Sequence, residues 1–114
     1  MCIFCDIANK QAPASIVYED DLSLVFKNIR PSAPIHLLII PKKHIDSIDH
    51  IDDKDEALVG HLLCVAQKVA KQEKLSGYKL VVNVGRDGGQ EIFHLHIHLL
   101  SGWNNAKDRD IIHN

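Results

Sequence analysis

Residues 88–100 read Gly88-Gly89-Gln90-Glu91-Ile92-Phe93-His94-Leu95-His96-Ile97-His98-Leu99-Leu100, and from His94 on imidazoles alternate with aliphatic side chains. Successive side chains of a β-strand point to opposite faces. The alternation therefore predicts a strand over residues 92–100 with Leu95, Ile97 and Leu99 turned into a core. His94, His96 and His98 share the other face, which is either solvated or lines a pocket, with about 7 Å between successive imidazoles. Such a row can bind a metal, can supply a nucleophile and a proton donor to one substrate, or can be a polar strand face. A metal held by the row alone is disfavoured, because neighbours on one flat strand do not close a tetrahedron.

Upstream, residues 85–89 are a glycine-rich turn and residues 78–84 read as a strand, so the histidine strand closes a hairpin. Residues 55–74 carry the one long amphipathic helix. Leu58, Leu62, Val65 and Val69, with Leu63, Ala66 and Ala70, recur at steps of three and four. Asp52, Asp53 and Asp55 are N-cap candidates, and Gly77 follows the end. Cys64, mid-helix among apolar neighbours, is expected in the core. Residues 15–18, 22–26 and 36–40 read as strands, the last ended by Pro41, and Pro31 and Pro34 bracket a loop. Tight turns between strands favour antiparallel pairing, hence an α+β fold with a sheet of about five strands.

A chain of 114 residues makes one domain, residues 1–114, with a C-terminal tail over 102–114. The formal charge of −2 offers no basic surface for nucleic acid. No apolar run approaches the ~20 residues that span a bilayer, and the N-terminus has no secretory-signal pattern. Three cysteines, two of them spaced Cys2-x-x-Cys5, favour a reducing, cytoplasmic setting. That spacing supplies half of a zinc site, or else two reduced thiols. Two further ligands are not identified by spacing. His50, His61 and His113 have no evident partner and are expected at the surface.

The segment from Gly88 to Leu100 resembles the signature of the histidine triad (HIT) family. Further blocks resemble it in the same order: Cys2-Ile3-Phe4-Cys5, Val17-Tyr18-Glu19-Asp20-Asp21, Pro31 to Pro34, Ile40-Pro41-Lys42-Lys43-His44-Ile45 and Val81-Val82-Asn83. The likeness is closest to the Hint-like branch of nucleotide-binding proteins and ends near Gly102. It implies a HIT-like fold with one main helix and a short N-terminal helix. It also implies a hydrolase acting on purine nucleoside phosphoramidates or related conjugates, which releases a nucleoside monophosphate. A dinucleoside polyphosphate hydrolase and a non-catalytic nucleotide-binding module are the alternatives.

On this resemblance His96 is the nucleophile, attacking an α-phosphorus to form a nucleotidyl-histidine. His98 orients it and contacts a phosphate oxygen, and His94 stands toward the leaving group or holds structure. His36 lies behind the row. Gln90 bonds a phosphate oxygen or the bridging atom, the amides of Gly88 and Gly89 approach phosphate, and Asn83 contacts ribose or phosphate. Phe4, Ile7, Phe26 and Ile29 wall the nucleobase. Two positions depart from the family pattern. Glu91 stands where many relatives have a serine that assists the leaving group. Asn28 stands where an aspartate often accepts from the ribose hydroxyls, so ribose binding is expected to be weaker. Zinc-carrying relatives complete the cysteine pair with residues matching His44 and His94. Relatives also imply a homodimer joined through residues 55–74 and 78–84, with Trp103 near the partner's site.

Overall fold

In the computed structural model, which describes residues 2–103, the elements run α1 (Ile3–Ala8), β1 (Ile16–Glu19), β2 (Ser23–Lys27), β3 (Ile35–Pro41), α2 (Glu56–Gln72), β4 (Lys79–Val81) and β5 (Ile97–Ser101). The strands form one antiparallel sheet in the order β1-β2-β3-β5-β4. The α+β expectation, with one main and one short N-terminal helix, is met. Among the described residues no helix is long and apolar enough to cross a membrane.

Both faces of the central strands are apolar, so the sheet is covered on both sides. Val25, Leu37, Ile39, Ile97 and Leu99 meet Leu62, Val65, Ala66 and Val69 of α2. On the other face Leu24, Phe26, Leu38 and Ile40 meet Phe4 and Ile7 of α1. Leu95 joins the α2 side, so Leu95, Ile97 and Leu99 are core residues as predicted. The histidines between them face the α1 side.

The last strand begins at Ile97, five residues later than predicted. Its register with β3 runs from Ile35↔Ser101 to Ile39↔Ile97. Pro41 has no N–H to extend that ladder. The Leu95 N–H instead donates to the Ile45 carbonyl at 2.6 Å. His94 therefore ends a bend, and His96 lies on the unpaired stretch that leads into β5. The strand predicted over 78–84 is likewise shorter, ending at Val81.

A capping box starts the 3-10 turn Asp53–Asp55 that runs into α2. The Asp52 carboxylate accepts from Lys54 N–H, and Asp55 accepts from Asp52 N–H at 3.2 Å. Asp55 is buried and also accepts from Lys43 Nζ at 2.6 Å, which ties the helix start to the loop after β3. The helix ends at Gln72 with Glu73 as its C-cap, two residues before the predicted end. Lys74 takes φ 57°, while Leu75 N–H donates to Ala70 O and Lys74 N–H to Lys71 O. This is a Schellman ending with a lysine in the left-handed position. Cys64 is exposed, and so is Leu63. The buried stripe of Leu62, Val65, Ala66, Val69 and Ala70 leaves them on the outer face, which corrects the core expectation for Cys64. His50 is exposed but bonds Ser47 Oγ at 2.8 Å. His61 is half-buried and bonds Asp20 Oδ2 at 2.8 Å, which pins α2 to the β1–β2 turn. His113 and most of the predicted tail lie outside the described residues.

Leu62→Ala should cost about 2–5 kcal/mol in urea unfolding, because its side chain is fully buried. Lys74→Gly should gain about 1 kcal/mol by relieving the left-handed conformation.

Candidate functional site

His96 is buried, and its Nδ1 lies 2.7 Å from the backbone oxygen of His94. A carbonyl only accepts, so Nδ1 carries the proton and the Nε2 lone pair is free. Burial holds the His96 pKa below the ordinary histidine value, although the carbonyl partially offsets this. At neutral pH the imidazole is therefore an uncharged nucleophile.

A second chain of bonds fixes His98. The Ser32 N–H donates to His36 Nδ1 at 3.0 Å, so His36 carries its proton on Nε2. That nitrogen lies 2.8 Å from His98 Nδ1 and donates to it, which leaves the His98 proton on Nε2. His98 is thus a hydrogen-bond donor beside a nucleophile, their ring centroids 4.9 Å apart. Burial, and then the neighbouring His96 and His36, push the His98 pKa down to about 4. Burial also lowers that of His36.

His94 belongs to a different cluster. Its Nε2 donates to the Pro41 carbonyl at 2.8 Å, which leaves the Nδ1 lone pair facing Cys2 Sγ at 3.3 Å and Cys5 Sγ at 3.5 Å. The His44 Nε2 lies 2.6 Å from Asp46 Oδ1, and its Nδ1 is 3.2 Å from Cys5 Sγ. The four ligand atoms of Cys2, Cys5, His44 and His94 lie within 4.8 Å of one another. Tetrahedral zinc with Zn–S and Zn–N bonds of ordinary length needs roughly 3.3–3.8 Å between ligand atoms. Both imidazoles are held by their far nitrogen, a common arrangement behind metal ligands. Burial and the adjacent Cys2 raise the Cys5 pKa, so a cation is what would keep Cys5 as a thiolate. The donor set fits a tetrahedral metal.

A cleft of about 700 Å³ opens beside the histidines. Phe4, Ile7, Phe26 and Leu38 line it together with His96 and His98, and with Asn83, Gly89 and Glu91 from the loop before β5. The Phe4 ring stands edge-on to Phe26 at 5.4 Å and to His96 at 5.2 Å, so α1 is both slot wall and support for the imidazole. Asn28 borders the cleft with its Nδ2 3.3 Å from His36 Nε2. Ile29 lines the mouth but is 91% exposed, a rim residue more than a wall.

Two expectations change. Gln90 is buried and outside the cleft lining. Its Oε1 accepts from Gly85 N–H at 2.9 Å, and its Nε2 donates to the carbonyls of Asp46 at 2.7 Å and Ile92 at 3.0 Å. It holds the loop in place of touching phosphate. The amides of Gly88 and Gly89 are likewise spent, on Gly85 O and Arg86 O. Gly89 is needed for its φ of 85°. Trp103 lies under Lys79 Nζ at 5.4 Å from the ring centroid, beside β4 and away from its own chain's cleft. Sequence reasoning missed Ser32, Asp46 and the Pro41 carbonyl. Of these only Asp46, two residues after His44, had a local signal.

Comparison with known proteins follows this geometry. The HIT domain family model matches residues 9–105. Protein HitA of Neisseria gonorrhoeae is 48% identical over 100 residues, which cover 87% of this chain and 94% of that protein. A HIT family hydrolase from Legionella pneumophila superposes with a TM-score of 0.87 at 52% identity, over 90% of this chain and 93% of the other. A zinc-bound histidine triad family protein from Mycobacterium smegmatis gives 0.81 at 31% identity, over 93% and 78%.

The low histidine pKa values link stability to acid. His98 titrates near 4 in the folded chain and His36 is also lowered, against an ordinary value of 6.5. Between these values the unfolded chain binds protons that the folded chain excludes. Stability should be full above about 6.5 and fall as pH drops toward 4, read from the urea midpoint across that window. His98→Asn should flatten the fall.

Proposed function

This chain belongs to the HIT domain family, and from that premise we propose that it is a hydrolase of nucleotide conjugates, cleaving purine nucleoside phosphoramidates or related substrates at the α-phosphate. The observation that carries this reading is the His96 Nδ1 bond to the His94 carbonyl, which leaves Nε2 unprotonated on a residue that lines a cleft walled by Phe4 and Phe26. The base lies against the apolar wall formed by Phe4, Ile7 and Phe26, and the phosphate meets His96. Nε2 attacks the α-phosphorus, the P–N or P–O bond breaks, and its electron pair leaves with the departing group, which is protonated from solvent. His98 Nε2–H donates to a phosphoryl oxygen as charge develops. The His94 carbonyl accepts from Nδ1 throughout, stabilising the positive charge the ring acquires. Water then cleaves the N–P bond and frees a nucleoside monophosphate. Glu91, a carboxylate at the cleft, lacks the hydroxyl with which a serine would assist the leaving group.

We assign zinc to Cys2, Cys5, His44 and His94, a reading supported by the converging donors and the zinc-bound relative. The metal would fasten α1, and with it Phe4, to the segment that carries the nucleophile. A homodimer is proposed through the outer face of α2 and the edge strand β4, where Leu63, Tyr78 and Leu80 are exposed. Free Cys2, Cys5 and Cys64 accord with a reducing, cytoplasmic setting.

Rapid quench of a reaction with an adenosine phosphoramidate should release AMP and trap an acid-labile adduct on His96. His96→Ala should lose at least about a thousandfold in kcat. A variant as fast as the parent would refute the mechanism. A diadenosine polyphosphate run in parallel ranks the leaving groups. Zinc should be present in stoichiometric amount in the parent and depleted in Cys5→Ala, measured by elemental analysis; a metal-free parent would overturn that assignment.

A further inference from the structure

Cys2 and Cys5 are placed to react with each other as well as to hold a metal. Cys2 stands at the N-cap of α1 in an extended conformation, φ −114° and ψ 123°. Its Sγ folds back over the first turn and accepts from the Cys5 N–H at 3.4 Å. The two sulfurs converge on one atom, His94 Nδ1, at 3.3 and 3.5 Å, and lie within 4.8 Å of each other. Both residues are half-buried, and the His44 ring that Cys5 Sγ touches is 40% exposed, so a small oxidant reaches the pair from solvent. Cys64 is on the outer face of α2, across the sheet from them. Phe4, between the two cysteines in the chain, packs its ring against His96, Phe26 and His94 and lines the cleft.

We infer that Cys2 and Cys5 are a redox pair, oxidised by a hydroperoxide to one reversible disulfide that loosens the α1 wall of the cleft. One sulfur attacks the peroxide, the O–O bond breaks, and a sulfenic acid forms while hydroxide leaves and takes a proton. The second sulfur displaces the sulfenic hydroxyl, the S–S bond forms, and another water departs. The two sulfurs together lose two electrons and the peroxide gains them. A dithiol reductant reverses the step by exchange. Side chains three apart on a helical turn stand about 5–6 Å apart at Cβ, whereas a disulfide needs about 3.5–4.5 Å. Closing the bond therefore draws in the turn that carries Phe4. It also removes two of the four donors around a metal, and His44 and His94 are too few to retain it. That last consequence rests on the zinc assignment. A transient disulfide of this kind is the form that a reducing compartment permits.

Hydrogen peroxide added to the full chain carrying Cys64→Ser, with a chromogenic zinc indicator present, tests the pair. Peptide mapping should find Cys2 joined to Cys5, zinc should enter solution in step with the disulfide, and dithiothreitol should restore both thiols and zinc uptake. Hydrogen exchange should quicken at the amides of Asp6 and Asn9, which donate to the Cys2 and Cys5 carbonyls. Calorimetry should find AMP bound at least about fivefold more weakly after oxidation, and Cys5→Ser should lose this response to peroxide. Separate over-oxidation of the two sulfurs, a disulfide that dithiothreitol does not reverse, or a disulfide that changes neither AMP affinity nor exchange in α1 overturns the inference. A parent that carries no zinc, yet forms the disulfide and loses affinity, sustains the redox pair while the zinc assignment falls. If AMP binds neither form, the nucleotide reading falls, and the exchange at Asp6 and Asn9 decides the pair.

Discussion

Burial of Leu95, Ile97 and Leu99 under α2 is the constraint from which the site follows. Each is fully or nearly fully buried, and each contributes about 1.5–3 kcal/mol by leaving water. In an extended backbone that burial leaves no choice for the residues between them. His94, His96 and His98 must turn to the α1 side, whether or not the residue sits in a hydrogen-bonded strand. A one-residue slip would bury the imidazoles under α2 and expose the aliphatics, so the chemistry has its register set by the core.

On the α1 side the three histidines become unequal because their surroundings differ. His94 is fully buried, donates to Pro41 and presents its other nitrogen to two sulfurs. His98 sits at the end of the Ser32–His36 relay. His96 lies between them, and the group that sets its tautomer is the main-chain oxygen of His94. One residue thus serves the metal-fitting cluster with its side chain and the candidate nucleophile with its backbone. Phe4, flanked by Cys2 and Cys5 on α1, touches both His94 and His96. The cluster and the cleft share a wall, and neither can be displaced without disturbing the other.

Local patterns announced themselves in the sequence: the alternation at residues 94–99, the helix stripe, the Cys2-x-x-Cys5 pair, and the likeness that linked His44 and His94 to it. Long-range partners did not. Pro41 looked like a strand terminator, and it is also the acceptor that frees His94 Nδ1. Gln90 looked like a phosphate contact because it follows two glycines, yet its amide is consumed by Gly85, Asp46 and Ile92. Cys64 looked like core because its neighbours are apolar, but the buried arc of α2 passes to one side of it.

What the sequence by itself determined is the order of elements, the family, and which residue types could do chemistry, because propensity, periodicity and motif are properties of neighbouring residues. The tertiary structure alone decided which imidazole nitrogen keeps its proton, which amides remain free for a ligand, and which face of α2 is outside. Several of those outcomes depend on partners far away in the chain, 53 residues for His94 and Pro41 and 92 for Cys2 and His94. A hydrogen bond's donor and acceptor are settled only when both ends are in place.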